Sequence, residues 1–118
     1  MEKVFSLNTC ATCRKILGQF DLTDWEHREI KKQPITEEEL EEMYKKTKSY
    51  EALFSKKSTQ IKERGIDVKS LGEKDFKKLL LEHYTFLKRP VFITDKEIFV
   101  GNEKANLEKL DAFFRAKK

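Results

Sequence analysis

The chain has 118 residues, 38% of them hydrophobic and 39% charged, with 9 Phe, 3 Tyr, 1 Trp and a formal net charge of +4. This is the length of one domain, expected over 1–118, with bulk for one modest core; it excludes a collagen, a low-complexity disordered chain and a disulfide-stapled miniprotein. No apolar run approaches the roughly 18–20 residues of a membrane span.

Lys3-Val4-Phe5-Ser6-Leu7 alternates, with Phe5 and Leu7 on one face, and reads as a first strand. From Cys13 the period changes: Cys13, Ile16, Leu17 and Phe20 form one helical stripe, weakened near its end by Gly18. Thr23 to Ile30 alternates around Trp25 and is expected as a second strand, completing a βαβ unit. Thr36 and Glu39 are spaced as a capping box, with Ile35 and Leu40 at the staple positions, so a helix is expected to start there. Glu37, Glu38 and Glu39 suit the positive end of its dipole.

The stretch 45–72 carries the weakest periodicity, with a short helix expected around Tyr50, Leu53 and Phe54 and loops at Gly65 and Gly72. Glu73 to His83 reads as a helix with Phe76, Leu79 and Leu80 inward. Pro90–Ile93 and Ile98–Val100 read as a hairpin joined by Thr94-Asp95-Lys96-Glu97. A last helix follows Gly101-Asn102, with Leu107, Leu110, Phe113 and Phe114 inward. The order predicts an α/β fold with a four-stranded mixed sheet and helices packed on it.

Charge is unevenly placed: residues 1–44 carry a net −4, residues 45–64 a net +5 and residues 65–118 a net +3. Lysines without interleaved aromatics read as a solvated helical face, and no direct nucleic-acid contact is expected. The start Met1-Glu2-Lys3-Val4-Phe5 lacks a secretory apolar stretch, and the two cysteines stand three apart in an otherwise cysteine-free chain. A cytoplasmic location is therefore expected.

The chemistry centres on Cys10-Ala11-Thr12-Cys13, between a strand and a helix. Unpaired N–H groups and the positive dipole end of a helix favour thiolate over thiol, so Cys10 is expected to be acidic, with Arg14 and Lys15 adding positive charge. Cys10 would be the nucleophile, and Cys13, inside the first turn, would resolve a mixed disulfide. Two alternatives remain open. A zinc site needs four ligands, and only His27 and His83 could supplement the pair, at no recognisable spacing; no metal is expected. Otherwise both cysteines are structural. His27 and His83 read as ordinary surface or half-buried residues, and no Ser-His-Asp pattern, phosphate loop or dinucleotide fingerprint is present.

Taken together, Cys10-Ala11-Thr12-Cys13-Arg14-Lys15, Leu87-Lys88-Arg89-Pro90-Val91-Phe92-Ile93 and Phe99-Val100-Gly101-Asn102 resemble the ArsC/Spx family of arsenate-reductase-like proteins. The similarity runs over nearly the whole chain, and Arg-Pro followed by an apolar strand is its most specific part. It implies a thioredoxin-like fold with an inserted helical region at about 36–83. It implies that Cys10 is the nucleophile and Cys13 the second cysteine of an Spx-type redox switch. Arg89 matches the arginine that holds an oxyanion in arsenate reductases and that, in Spx, lies on the surface meeting the RNA polymerase α-subunit. Pro90 matches a cis-proline facing the cysteine loop. Arg14 and Arg89 would line the oxyanion corner, with Lys56 or Lys57 as further cations.

The implied function is a thiol-dependent oxidoreductase; the alternative is an Spx-like redox-sensing regulator that binds RNA polymerase. No bound cofactor is implied, and glutathione, glutaredoxin or thioredoxin would supply electrons. The substrate would be a small oxidised molecule, an oxyanion or a protein disulfide. Arsenate-reducing members carry two further arginines, where this chain reads Ala52-Leu53-Phe54-Ser55-Lys56 and Val100-Gly101-Asn102. Arsenate reduction is therefore expected to be weak or absent, and the Cys10–Cys13 disulfide to form readily under mild oxidant.

Overall fold

Val4, Phe92 and Phe99 point to one face of a sheet, and the apolar side chains of two helices close over them. This cluster, with Ile16, Leu22, Trp25 and Leu110, is buried, and Leu17, Phe20, Leu107, Phe113 and Phe114 pack against it. The structure, a computed structural model, describes residues 2–116; Met1, Lys117 and Lys118 of the domain read from the sequence lie outside the described residues. The strands are β1 (Lys3–Ser6), β2 (Glu26–Glu29), β3 (Val91–Ile93) and β4 (Ile98–Val100). The helices are α1 (Ala11–Leu17), α2 (Glu37–Thr47), α3 (Thr59–Arg64), α4 (Glu73–Glu82) and α5 (Lys104–Ala116). The fold is α/β and thioredoxin-like, with a mixed sheet in the order β2-β1-β3-β4.

β1 pairs parallel with β2, with Ser6 opposite Glu29, and antiparallel with β3, with Val4 opposite Phe92. The β3–β4 hairpin closes where Thr94 accepts from the Lys96 and Glu97 amides through its hydroxyl, at 3.2 and 2.9 Å. Beyond β4, Gly101 takes φ +88° and donates 2.9 Å to the Pro90 carbonyl, a left-handed position that favours glycine. Aromatic edges and faces fill the core of this unit: Phe20 stacks on Phe114 at 4.6 Å, and Trp25 meets Phe92 edge-on at 5.6 Å.

The chain divides into two compact units, 1–33 with 89–118, and 34–88. The second compares with the insert read at about 36–83. Its first helix, α2, starts as its sequence dictates: the Thr36 hydroxyl accepts from the Glu39 amide at 3.1 Å, and the Glu39 carboxylate accepts from the Thr36 amide at 2.9 Å. Leu40 and Met43 are fully buried. Phe54 lies 4.8 Å from Phe76 and 5.3 Å from Phe86. A lone antiparallel bridge joins Phe54 to Leu87, flanked by bonds from Ser55 N–H to the Phe86 carbonyl (2.7 Å) and from Lys88 N–H to the Leu53 carbonyl (2.8 Å).

Two expectations are corrected. The second strand begins at Glu26, not Thr23. Asp21 accepts from the Thr23 amide and hydroxyl at 3.2 and 2.6 Å, and Trp25 N–H bonds to the Leu22 carbonyl, so Leu22–Trp25 turns. The weakly periodic stretch 45–72 is more ordered than its sequence suggests: single 3-10 turns at Glu51–Leu53 and Val68–Ser70 flank α3. Ser58 caps α3, and Gly65 ends it at φ +65°.

Candidate functional site

Cys10, Cys13, Arg14, Arg89 and Pro90 all lie in the unit formed by 1–33 and 89–118, whereas Lys56 and Lys57 belong to the other unit, where Lys56 pairs with Glu51 at 2.7 Å. β1 runs into a tight turn, closed by Cys10 N–H donating 3.0 Å to the Leu7 carbonyl. Cys10 is the N-cap of α1, with extended φ −89° and ψ 113°, and its carbonyl accepts the Arg14 amide at 3.1 Å. Cys10 makes no side-chain capping bond as a thiol, so the first amides of α1 are left to its ionised form.

The two thiols face opposite environments. Cys10 is half-buried, whereas Cys13 is fully buried, 0% exposed. Burial is the largest single influence on Cys10 and opposes its ionisation. The Cys13 amide and thiol, the Thr12 amide and the Arg89 charge together outweigh it, so Cys10 lies below the ordinary thiol range. For Cys13 burial dominates: even with a Leu7 backbone hydrogen bond and Arg89 acting the other way, its thiol is pushed up to about 11.

Arg89 is the cation that acts on both sulfurs. It is half-buried and precedes the buried Pro90, and the Arg89–Pro90 bond is cis, as the family resemblance implies. Arg14 has a different post. Its guanidinium donates 2.8 Å to the Asn8 carbonyl, in the turn that leads to Cys10. His27 meets the Leu22 carbonyl at 3.2 Å, while His83 bonds the Thr85 hydroxyl at 2.8 Å and stacks on Tyr84. Among the described residues no three His, Cys, Asp or Glu side chains gather as a metal site. Nor, among them, is any helix long and apolar enough to cross a membrane.

Glu29 and Asn8 were not singled out from the sequence. Glu29 ends β2, and its carboxylate accepts the Asn8 amide across the β1–β2 connection. The available signal was parallel pairing in a βαβ unit, which puts the end of the second strand beside the loop leaving the first.

A four-stranded mixed sheet, with a cysteine pair heading its first helix and a cis-proline leading into its third strand, defines a thioredoxin-like protein. The chain belongs to the ArsC family, whose model matches residues 5–110. It is 28% identical over 104 residues to the global transcriptional regulator Spx 1 of Bacillus cereus, covering 86% of this chain and 79% of that one. Among solved structures it is similar to an arsenate reductase (ArsC) related protein from Brucella melitensis: TM-score 0.67, 24% identity, 97% of this chain and 94% of that one. An arsenate reductase from Vibrio cholerae aligns with TM-score 0.72 at 16% identity, over 93% of this chain and 95% of that one. At such identities these structures establish the fold alone.

Proposed function

We propose that this ArsC-family protein is a cytoplasmic thiol–disulfide oxidoreductase, with Cys10 as nucleophile and Cys13 as resolving cysteine. The observation that carries the reading is the opposed acidity of the two thiols, one accessible and lowered, the other buried and pushed up to about 11. Only a thiolate attacks, so at neutral pH the first attack belongs to Cys10. Its sulfur bonds to one sulfur of an external disulfide, the S–S bond breaks, and the other sulfur leaves as a thiolate. Cys13 then loses its proton to a departing thiolate and attacks Cys10 in the mixed disulfide. The second substrate thiol leaves, and the Cys10–Cys13 disulfide holds the oxidising equivalents. Two external thiols, from glutathione, glutaredoxin or thioredoxin, restore the dithiol.

In this reading Arg89 steadies the Cys10 thiolate and any oxyanion offered to it, Pro90 shapes the wall of the site, and Arg14 supports the turn. The positions where arsenate-reducing members add arginine lack it here, at 52–56 and 100–102, which supports disulfides over arsenate as substrates. One assay decides: thiol-dependent reduction of a model disulfide and of arsenate, run side by side on wild type and Cys10→Ser. Disulfide turnover lost in Cys10→Ser supports the reading; robust arsenate turnover with glutaredoxin overturns the substrate preference.

The likeness to Spx 1 favours a second reading, in which the same cysteine pair is a redox sensor on a regulator that binds the RNA polymerase α-subunit. Co-purification with polymerase and no turnover of disulfides would establish it in place of the first.

A further inference from the structure

The turn that presents Cys10 is held from both sides by charged side chains rooted in two different elements. Glu29, opposite Ser6 across the parallel β1–β2 ladder, accepts the Asn8 amide through one carboxylate oxygen. Its other oxygen accepts the Lys31 and Lys32 amides at 2.6 and 3.4 Å. Arg14, midway along the short α1, donates 2.8 Å to the Asn8 carbonyl. Asn8 is exposed and sits inside the Leu7–Cys10 turn, whose single backbone bond is 3.0 Å long. An exposed turn with one backbone bond opens easily, and hydrogen bonds to charged groups are about twice as strong as neutral ones.

We infer that Glu29 and Arg14 are positioning residues for the nucleophile: by clamping both backbone polar groups of Asn8, they hold the Cys10 sulfur over the first amides of α1. This rests on the reading of Cys10 as the attacking thiol. The Glu29 carboxyl is itself held below the usual range. Burial opposes this and is its largest influence, but the Asn8, Lys31 and Lys32 amides and the Lys32 charge prevail, so the clamp is closed at neutral pH. The titratable groups that weigh most on Cys10 are Cys13 and Arg89, neither of which is part of the clamp; Arg14 and Lys15 are the charged residues of α1 itself.

The opposite charges of the clamp supply the test. If Glu29 and Arg14 acted on Cys10 only through space, removing the carboxylate would make the thiol more acidic and removing the guanidinium less acidic. A clamp requires the same sign from both, because either loss frees the turn. Cys13 is 0% exposed, so the pH dependence of iodoacetamide alkylation, followed by intact mass, reports Cys10 in the otherwise native chain. Glu29→Ala and Arg14→Ala are each expected to raise the alkylation midpoint by about half a pKa unit, roughly a threefold loss of thiolate below the midpoint. Glu29→Gln, which removes the charge but keeps one acceptor oxygen, is expected to fall between wild type and Glu29→Ala. Should Glu29→Ala fail to fold by circular dichroism, Glu29→Gln and Arg14→Ala must still move the midpoint upward together.

A merely structural role would lower the melting temperature and leave the midpoint where it is. Unmoved midpoints, or shifts of opposite sign, overturn the clamp and leave the function untouched. A wild-type midpoint at the free-thiol value of about 8.5 overturns the nucleophile reading and the clamp with it.

Discussion

The starts of α1 and α2 solve the same problem in opposite ways. Both leave unpaired amides at the first turn. At α2 the Thr36 hydroxyl and the Glu39 carboxylate satisfy them reciprocally, and Glu37 adds negative charge at the positive end of the dipole. At α1 the cap is Cys10, which bonds none of them as a thiol, and the first turn holds no acidic residue. One start is arranged for stability. The other leaves its amides to an anion that forms only when Cys10 ionises. On the proposed reading, local stability is given up at the thiol that reacts.

The sharpest way to break this contrast is to give α1 the cap it lacks. Serine is among the best N-caps, so Cys10→Ser is expected to abolish alkylation and disulfide exchange while holding or raising stability, by up to about 1 kcal/mol. Intact-mass labelling and urea unfolding check the two halves. A fall of more than about 1 kcal/mol would mean that the thiol itself holds the turn.

The next effect is pH-dependent stability, and the two thiols should give opposite slopes. Each single-cysteine variant is compared with the chain in which both cysteines are serine. Cys10 has a lowered folded pKa, so it stabilises above the unfolded value of about 8.5, and this contribution is lost as pH falls through the folded pKa. Cys13 is raised to about 11, so its contribution is fully present below about 8.5 and is lost as pH climbs from there toward 11. The Cys13 loss is on the order of 2–3 kcal/mol over this window. Unfolding midpoints from pH 6 to 10.5 test the signs; parallel slopes would erase the distinction between the two sulfurs.

Thr36→Ala should cost about 1 kcal/mol of stability and leave Cys10 alkylation unchanged, since it removes a cap with no part in the chemistry. Smallest of all, Glu37→Gln removes a mostly exposed carboxylate 3.1 Å from Lys77 and is expected to cost about half a kcal/mol, less in high salt. A salt-independent loss above 1 kcal/mol would show that the acidic first turn does more than match the dipole.

What could be read in the sequence was local. The capping box of α2, the β3–β4 hairpin and the stripe of α5 each lie within a few residues, where spacing alone names the partner. The same holds for the cysteine pair at a strand–helix junction. What escaped depended on distant pairs or on turns. Thr23–Trp25 alternates like a strand, yet the Asp21 carboxylate captures the backbone first. α3 buries none of its residues, so it left no apolar stripe to find. Arg14 reads as a cation beside Cys10, but its side chain reaches back six residues to Asn8, and Glu29 is separated from Asn8 by 21. The first needs the geometry of the turn before α1, and the second the register of β1 on β2.

The lone bridge between Phe54 and Leu87 has a bearing on how the chain tolerates change in length. It fastens the two ends of the segment that holds α3 and α4, making that segment a closed loop rather than an open excursion. The entropy of closing a loop grows only with the logarithm of its length. Ten residues added at the exposed Gly65 turn, a lengthening of about a third, would cost only about 0.2–0.3 kcal/mol. The Gly65 turn is thus a place where new sequence, such as a tag or a reporter peptide, can be carried at almost no cost, with Phe54 still buried beside Phe76 and Phe86.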